Sequence, residues 1–575
     1  MTTSSHPANA VLPAARTGGQ ILIDALAAHG VDTIFCVAGE SYLAALDALI
    51  DHPEIKVVTC RQEGGAAFMA EAYGKITGKP GICFVTRGPG ACNASIGVHT
   101  AKQDSTPMIL LIGQVARDQM GREAFQEVDY DKMFGSVAKW TTQINKAEDV
   151  SAQIAKAFEQ AISGRMGPAV VALPEDMLTE TTTHQTSYTP KATPKTALQT
   201  ALETMGEAEI TPFIAALEMA ERPLIVIGGS GYDDATCKAF EDWAGAMDIP
   251  VAASFRRHDL FDHRHPCYVG ELGTGPNAKL VAAVKQADLV VSLGGRMGEI
   301  TSQGYTLLSI PEPTQAFVHI HADAAELGKV YTADLAIHAS GKDFITALTQ
   351  SPAVQHPKMK PQAAQWRAQL RALYEQWTEI TPDSRYRFDM NVVFKAMRAA
   401  LPDNAIITTD AGNFSGWAQR YLRYGRSRAG GRLLAPTSGA MGYGLPSMVA
   451  AALYCPDRHC VALMGDGGFM MSGQELATVK ALKLGGIAIV FDNGMYGTIR
   501  MHQEREYPKR KIATDLANPD FAALAQSYGL NGVSIHHHDE FAAAFARALS
   551  SPHFTLLHLK TDPRQITTQK AMDEL

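Results

Sequence analysis

The sequence predicts an α/β protein built from three doubly wound parallel-sheet domains, and three observations predict it. Short apolar runs alternate with helix-length stretches along most of the chain. Two Pro-rich, polar breaks divide that alternation into three blocks. Glycine-rich turns stand directly after several apolar runs, where a parallel strand hands over to its crossover helix. A chain of 575 residues is, besides, too long for a single core.

The first block covers about 16–180, with strands at 33–37, 56–59, 81–86, 108–113 and 169–173 and a helix at 64–78. Residues 179–196, rich in Thr, Pro and Lys, read as a linker. The second block, about 205–347, has strands at 224–227, 250–253, 289–293 and 316–320. A polar connector at 351–387 holds one helical stretch, 361–377, and the third block follows over about 388–562. Residues 79–91 and 456–468 share one layout of turn, strand, glycine turn and helix start. Duplication and ordinary α/β architecture both explain that echo.

Bulk properties narrow the function. A net charge of −8 without a long Lys/Arg run leaves no electrostatic footprint for nucleic acid. No apolar run is long enough to cross a membrane. Residues 1–15 read as a loose tail without the cationic start and apolar centre of an export signal. The eight cysteines are scattered singly, without metal-ligand spacing, as expected of reduced thiols in a cytoplasmic protein.

The most specific local signal is Gly465-Asp466-Gly467, directly after the apolar run 461–464, with Asn493 closing the next apolar run. Asp-Gly and Asn-Gly are also common turn pairs. Here both stand at strand exits of one βαβ unit, where such sheets bind ligands. Asp466, Asn493 and the backbone carbonyl at about Met495 would give Mg2+ the oxygen ligands it demands, while Gly467 and Gly468 would let amides approach a diphosphate.

This pattern closely resembles the thiamine diphosphate motif. The segments 61–67, 86–91, 104–107, 113–115, 124–127, 410–413 and 438–446 resemble successive motifs of acetolactate synthase-type enzymes of the 2-oxo acid decarboxylase superfamily, so the likeness spans about 18–565. It implies a pyrimidine-binding, a middle and a diphosphate-binding domain, in that order. It also implies that Glu63 is the acid bonded to the pyrimidine N1′, that Met441 wedges beneath the cofactor, and that the Gly439 carbonyl accepts from its 4′-amine. Gly88, Pro89, Gly412, Asn413 and Gly465 join the cofactor-binding set. Asn413 and Phe414 stand where the family has Gln and His, and Gly468 where Ser or Ala is common.

The implied reaction is decarboxylation of a pyruvate-like 2-oxo acid and transfer of the enamine to a carbonyl acceptor. Gln126 would meet the reacting carbonyl and Gln114 would support that wall. Glu40 replaces a family Gly and could relay protons, while His502 replaces a Trp that favours larger acceptors. Arg296 matches an Arg near the family's flavin, but the acidic residues after it are missing. Gly228–Gly231 is a weak dinucleotide signal, which weighs against FAD. Alternatives are a lyase acting on a 2-hydroxy ketone or a 2-hydroxyacyl-CoA, for which Arg256, Arg257 and Arg264 are candidate coenzyme A contacts, and a flavin-linked 2-oxo acid oxidase. Glu63 and Asp466 come from different subunits in the family, which implies a homodimer as the active unit and a homotetramer as the usual assembly.

Overall fold

The computed structural model describes residues 15–183, 207–350 and 358–575. The amino-terminal tail (all but Ala15), most of the expected linker and the start of the connector lie outside the described residues.

Each of the three units carries a six-stranded parallel sheet with helices on both faces. The short strands β1 (Arg16–Thr17) and β8 (Thr181–Thr182) pair antiparallel and close the first unit. Between them lie β2 (Thr33–Cys36), β3 (Lys56–Thr59), β4 (Gly81–Val85), β5 (Met108–Gln114), β6 (Trp140–Gln143) and β7 (Pro168–Pro174), in sheet order β3-β2-β4-β5-β7-β6. The central strands β4 and β5 are buried along their whole length, which is why they read as unbroken apolar runs. Edge strand β6 is half-buried and polar, and the apolar pattern did not mark it.

The second sheet comprises β9 (Pro223–Ile227), β10 (Val251–Ser254), β11 (Tyr268–Leu272), β12 (Leu289–Leu293), β13 (Ala316–His321) and β14 (Leu335–His338). Its order, β11-β10-β9-β12-β13-β14, reverses direction between β9 and β12, the arrangement of dinucleotide-binding sheets. The connector contributes a helix at Pro361–Trp377, as the sequence predicts.

The third sheet comprises β15 (Ile406–Thr409), β16 (Arg432–Leu434), β17 (Cys460–Gly465), β18 (Ile487–Asp492), β19 (Asn531–Ile535) and β20 (Thr555–Lys560). Its order, β16-β15-β17-β18-β20-β19, repeats that of the first sheet strand for strand. β4 and β17, the strands of the two echoing segments, occupy the same place in each, so the echo extends to whole-unit topology.

The first and third units share one core. Helix α1 (Glu63–Thr77) of the first unit and α2 (Gly444–Tyr454) of the third belong to a single buried apolar cluster. The Phe68 ring meets Tyr443 edge-on at 5.3 Å. Where the three units meet, Lys75 Nζ lies 2.7 Å from Asp104 and 3.1 Å from Glu71, the Tyr443 hydroxyl donates to Glu71 at 2.6 Å, and Arg257 of the second unit reaches Asp104 at 3.3 Å. Buried charges of this kind are tolerable only when mutually paired. Six of the eight unpaired cysteines are buried, Cys455 is half-buried and Cys92 is exposed.

Candidate active site

All the site residues predicted in the first unit lie in loops at the carboxyl edge of its sheet or run on from it. Glu40 follows β2, Glu63 opens α1 just after β3, Gly88 and Pro89 follow β4, and Gln114 ends β5. Glu63 Oε2 accepts a hydrogen bond from Asn93 Nδ2 at 2.9 Å, and a Cβ added at Gly90 would come within 3.6 Å of its Oε1. The activating-acid candidate is therefore seated against the turn that carries Gly88 and Pro89. Gly88 has φ +48°, and a Cβ there would meet the Gln126 carbonyl at 2.7 Å. Gln126 itself has φ +66°, a strained conformation for a non-glycine residue and one that concentrates at functional positions. Gln114 is buried and spends its side chain on the loop, donating to the Val128 carbonyl at 2.9 Å and accepting from Val115 N. It thereby braces the segment that presents Gln126. Glu40 is exposed but forms a 2.7 Å ion pair with Arg87, whose other nitrogen meets Glu175 at 3.0 Å.

The third unit presents its predicted residues in the same way. Gly412 and Asn413 follow β15, Gly439 and Met441 follow β16, Gly465–Gly468 follow β17, and Asn493 and Met495 follow β18. Asp466 is buried, and its Oδ2 accepts from Gly494 N at 3.0 Å and Asn518 Nδ2 at 2.8 Å. Asn493 Oδ1 accepts from Met495 N at 3.2 Å. A Cβ on Gly467 would stand 2.5 Å from the Tyr496 ring, and one on Gly468 2.2 Å from Asp410 Oδ2. Neither position admits a side chain without movement. Gly439 has φ +72°, and the half-buried Met441 follows it. Asn413 exchanges hydrogen bonds with Thr498, while the Phe414 ring stacks on Phe491 at 5.4 Å and fills core. His502 lies exposed on the helix Gly497–Glu506, with Nδ1 2.9 Å from Arg505 Nη2.

Four residues that the sequence reading did not assign complete this edge. Asn518 Nδ2 lies 2.8 Å from both Asp466 and Asp492. Asp492 also meets His558 Nε2 at 2.8 Å and Lys560 Nζ at 2.6 Å. His558 Nδ1 accepts from Phe521 N at 3.2 Å, which leaves the proton on Nε2 to be donated to Asp492. Burial opposes ionisation of Asp492, yet hydrogen bonds from His558, Lys560 and Asn518 hold its carboxyl well below the usual range. Among the described residues Asp466 has no cationic partner; burial, with Asp492 adding to it, pushes its carboxyl up to about 6. Asp492 was legible as the neighbour of Asn493, whereas Asn518 and His558 arrive from distant loops. Asp410, at the exit of β15, is raised to about 6 by burial, with one oxygen bonded to Gly444 N and the other unpartnered.

The middle unit places the turn Gly229–Gly231 and Gly294 at the point where its strand order reverses. There they line a cavity of about 930 Å³ together with His321. Arg296 donates to the Gln103 carbonyl at 3.1 Å. Of the arginines weighed as coenzyme A contacts, Arg256 is buried against the carbonyls of Pro436 and Asp410, Arg257 is engaged by Asp104, and Arg264 pairs with Asp262 and Asp403. A second cavity, of about 370 Å³, is lined by Gly412, Asn413, Met501 and Gln419 beside Glu271.

Three family models match, one within each unit. They are the thiamine pyrophosphate enzyme N-terminal TPP-binding domain over residues 16–133, the central domain over 210–348 and the C-terminal TPP-binding domain over 410–559. Fold and site thus define a thiamine diphosphate-dependent enzyme. The acetolactate synthase large subunit of Parasynechococcus marenigrum (strain WH8102) is 33% identical over 552 residues, covering 95% of this chain and 87% of that protein. The acetolactate synthase isozyme 2 large subunit of Escherichia coli (strain K12) is 30% identical, covering 95% of each. A probable acetolactate synthase large subunit of Methanocaldococcus jannaschii is also 30% identical, covering 95% of this chain and 92% of that protein. The chain belongs to the acetolactate synthase-like family of thiamine diphosphate enzymes. Among the described residues no helix is long and apolar enough to cross a membrane.

Proposed function

We propose that this enzyme uses thiamine diphosphate with Mg2+ to decarboxylate a pyruvate-like 2-oxo acid and to join the retained carbon unit to a carbonyl acceptor. The observation that supports this most is Asp466, a buried carboxyl at the exit of β17 with no cationic partner among the described residues, followed by two glycines that admit no Cβ without movement. Such a donor set suits a hard cation shared with a diphosphate.

In this reading Asp466, Asn493 and the Met495 carbonyl hold Mg2+, while Gly412, Asn413, Gly465, Gly467 and Gly468 leave room for the diphosphate. Met441 and the Gly439 carbonyl orient the pyrimidine, the turn Gly88–Pro89 borders it, and the Glu63 carboxyl holds and exchanges the proton at its N1′. When bound, thiamine diphosphate would supply a nucleophilic carbon and a thiazolium ring able to take up the electron pair released as a C–C bond beside a carbonyl breaks. Gln126, braced by Gln114, donates to the substrate carbonyl. Glu40, held in place by Arg87, would relay a proton to the acceptor's carbonyl oxygen as the new C–C bond forms. His502 leaves a polar wall suited to a small acceptor.

Glu63 and Asp466 of one chain serve two different cofactor sites in this reading, so the active unit is a homodimer, with a homotetramer as the further assembly. Support comes from apolar side chains left exposed on the elements that carry the site: Ile96, Phe125 at 74% exposure, Met470, Met471 and Ile499. The decisive experiment incubates the protein with thiamine diphosphate, Mg2+ and pyruvate. Two pyruvates and a proton should give carbon dioxide and a 2-hydroxy-2-methyl-3-oxo acid, read by mass spectrometry. Cleavage of a 2-hydroxyacyl thioester or of benzoin, with no decarboxylation of any 2-oxo acid, would overturn the reading.

A further inference from the structure

Glu475 is a buried carboxylate of the third unit whose hydrogen bonds end in the first unit. It lies at the end of the turn Gly473–Glu475, which directly continues the helix Asp466–Ser472. None of its surface is exposed. Its Oε1 accepts from Arg61 N at 3.0 Å and from Gln62 N at 3.1 Å, the two residues immediately before Glu63. Its Oε2 accepts from the Thr478 hydroxyl at 2.5 Å.

The amides at the start of a helix have no carbonyl partner within it and must be satisfied from outside. At α1 the work is divided. The Gln62 side chain accepts from Gly65 N at 3.0 Å, and Glu475 takes the amides of Gln62 itself and of Arg61, which lead into the helix. An ionised acceptor makes stronger bonds to amides than a neutral one, and negative charge is favoured beside a helix start. The approach is close on both sides: a Cβ on Gly65 would stand 2.8 Å from Glu475 Oε1. Thr478 fixes the other oxygen, so the carboxylate has one available placement. That placement sets the backbone from which Glu63 projects.

We propose that Glu475 is a positioning residue for Glu63. Its described hydrogen bonds come from two backbone amides and one hydroxyl of the protein itself. Its effect is to hold Arg61 and Gln62, so that the Glu63 carboxyl presents itself at one position and not over a range of them. Misplacement of a reacting group by about 1 Å is enough to cost roughly two orders of magnitude in rate. The inference rests on the reading of Glu63 as the activating acid.

The test uses the full-length protein and three variants: Glu475→Ala, Glu475→Gln and Glu63→Gln. In the protein free of cofactor, amide hydrogen exchange at Arg61 and Gln62, read by mass spectrometry, should accelerate at least tenfold in Glu475→Ala. In the presence of thiamine diphosphate and Mg2+, exchange of the cofactor C2 proton should slow about 100-fold, with cofactor affinity within a few-fold of the parent. Glu475→Gln keeps an oxygen for the two amides and a donor for Thr478, so it should restore both readouts to within a few-fold. Undiminished C2 exchange in Glu475→Ala, beside a Glu63→Gln variant in which exchange is abolished, would overturn the positioning role alone. Undiminished exchange in Glu63→Gln would instead remove the reading beneath it. If Glu475→Ala does not fold, Glu475→Gln decides with Gly65→Ala, whose added Cβ presses on the same oxygen. A Gly65→Ala variant that is folded and exchanges C2 at the parent rate would count against the proposal.

Discussion

Asn518 donates its side-chain amide to Asp466 at 2.8 Å from a loop 52 residues away in the chain. The same nitrogen lies 2.8 Å from Asp492, so one neutral group spans two carboxylates that would otherwise repel. Outer-shell partners of metal ligands fix the ligand's orientation, and their loss typically costs 10- to 100-fold in affinity. Asn518→Ala should weaken Mg2+-dependent thiamine diphosphate binding by about tenfold, and Asp466→Ala by orders of magnitude more. Titration of the intrinsic tryptophan fluorescence with cofactor at fixed Mg2+ reads both. Equal affinities in parent and Asn518→Ala would show that Asp466 needs no such brace.

Glu63 makes its described side-chain hydrogen bond with Asn93, and the carboxyl is otherwise open. Glu63→Gln keeps the size and one acceptor oxygen but cannot exchange a proton with N1′. Exchange of the cofactor C2 proton into heavy water should then fall below detection, while cofactor binding stays measurable. A parent-like exchange rate would reject the activating role.

These two sites differ in how far the sequence could carry them. Asp466 and its glycines follow one strand and Asn493 the next, so a single βαβ unit makes them neighbours and local pattern is enough. Glu63 carried no such local signal, since a Glu at a helix start is ordinary, and its role entered only through the family resemblance of residues 61–67. Asn518, His558 and Glu475 act across breaks of tens to hundreds of residues, and no local periodicity encodes such contacts. The fold divides in the same way. Buried central strands such as β5 and β12 were visible as apolar runs. The edge strands β6, β14 and β16 are short or partly exposed, and they carry too few consecutive apolar residues to stand out.

The Glu40–Arg87 pair bears on turnover. Arg87 is shared between Glu40 and Glu175, which fixes the Glu40 carboxyl in place without cancelling the negative charge of the cluster. If that carboxyl relays a proton, Glu40→Gln should lower kcat by about 100-fold, within the range typical of general acid–base groups, and leave KM for pyruvate equal or lower. A kcat within twofold of the parent in steady-state assays would eliminate the relay.

Stability should carry a pH signature from Glu241, in the helix Asp234–Met247 of the middle unit. Its carboxylate is buried, accepts from Asp262 N at 2.7 Å and from the Ser427 hydroxyl, and is pushed by burial up to about 7 from an ordinary 4.5. Between those values the folded protein holds a proton that the unfolded chain has released. Stability attributable to this group is therefore complete below about pH 4.5 and is lost as pH rises through 7. The full swing is on the order of 3 kcal/mol, since each unit of pKa difference corresponds to about 1.4 kcal/mol. Glu241→Gln preserves an acceptor for Asp262 and can donate to Ser427 without ever ionising. Its stability relative to the parent should rise from pH 5 to about pH 7 and level off above it, in urea unfolding followed by circular dichroism. Parallel pH profiles for the two proteins would mean that Glu241 ionises in the folded state at its ordinary pH.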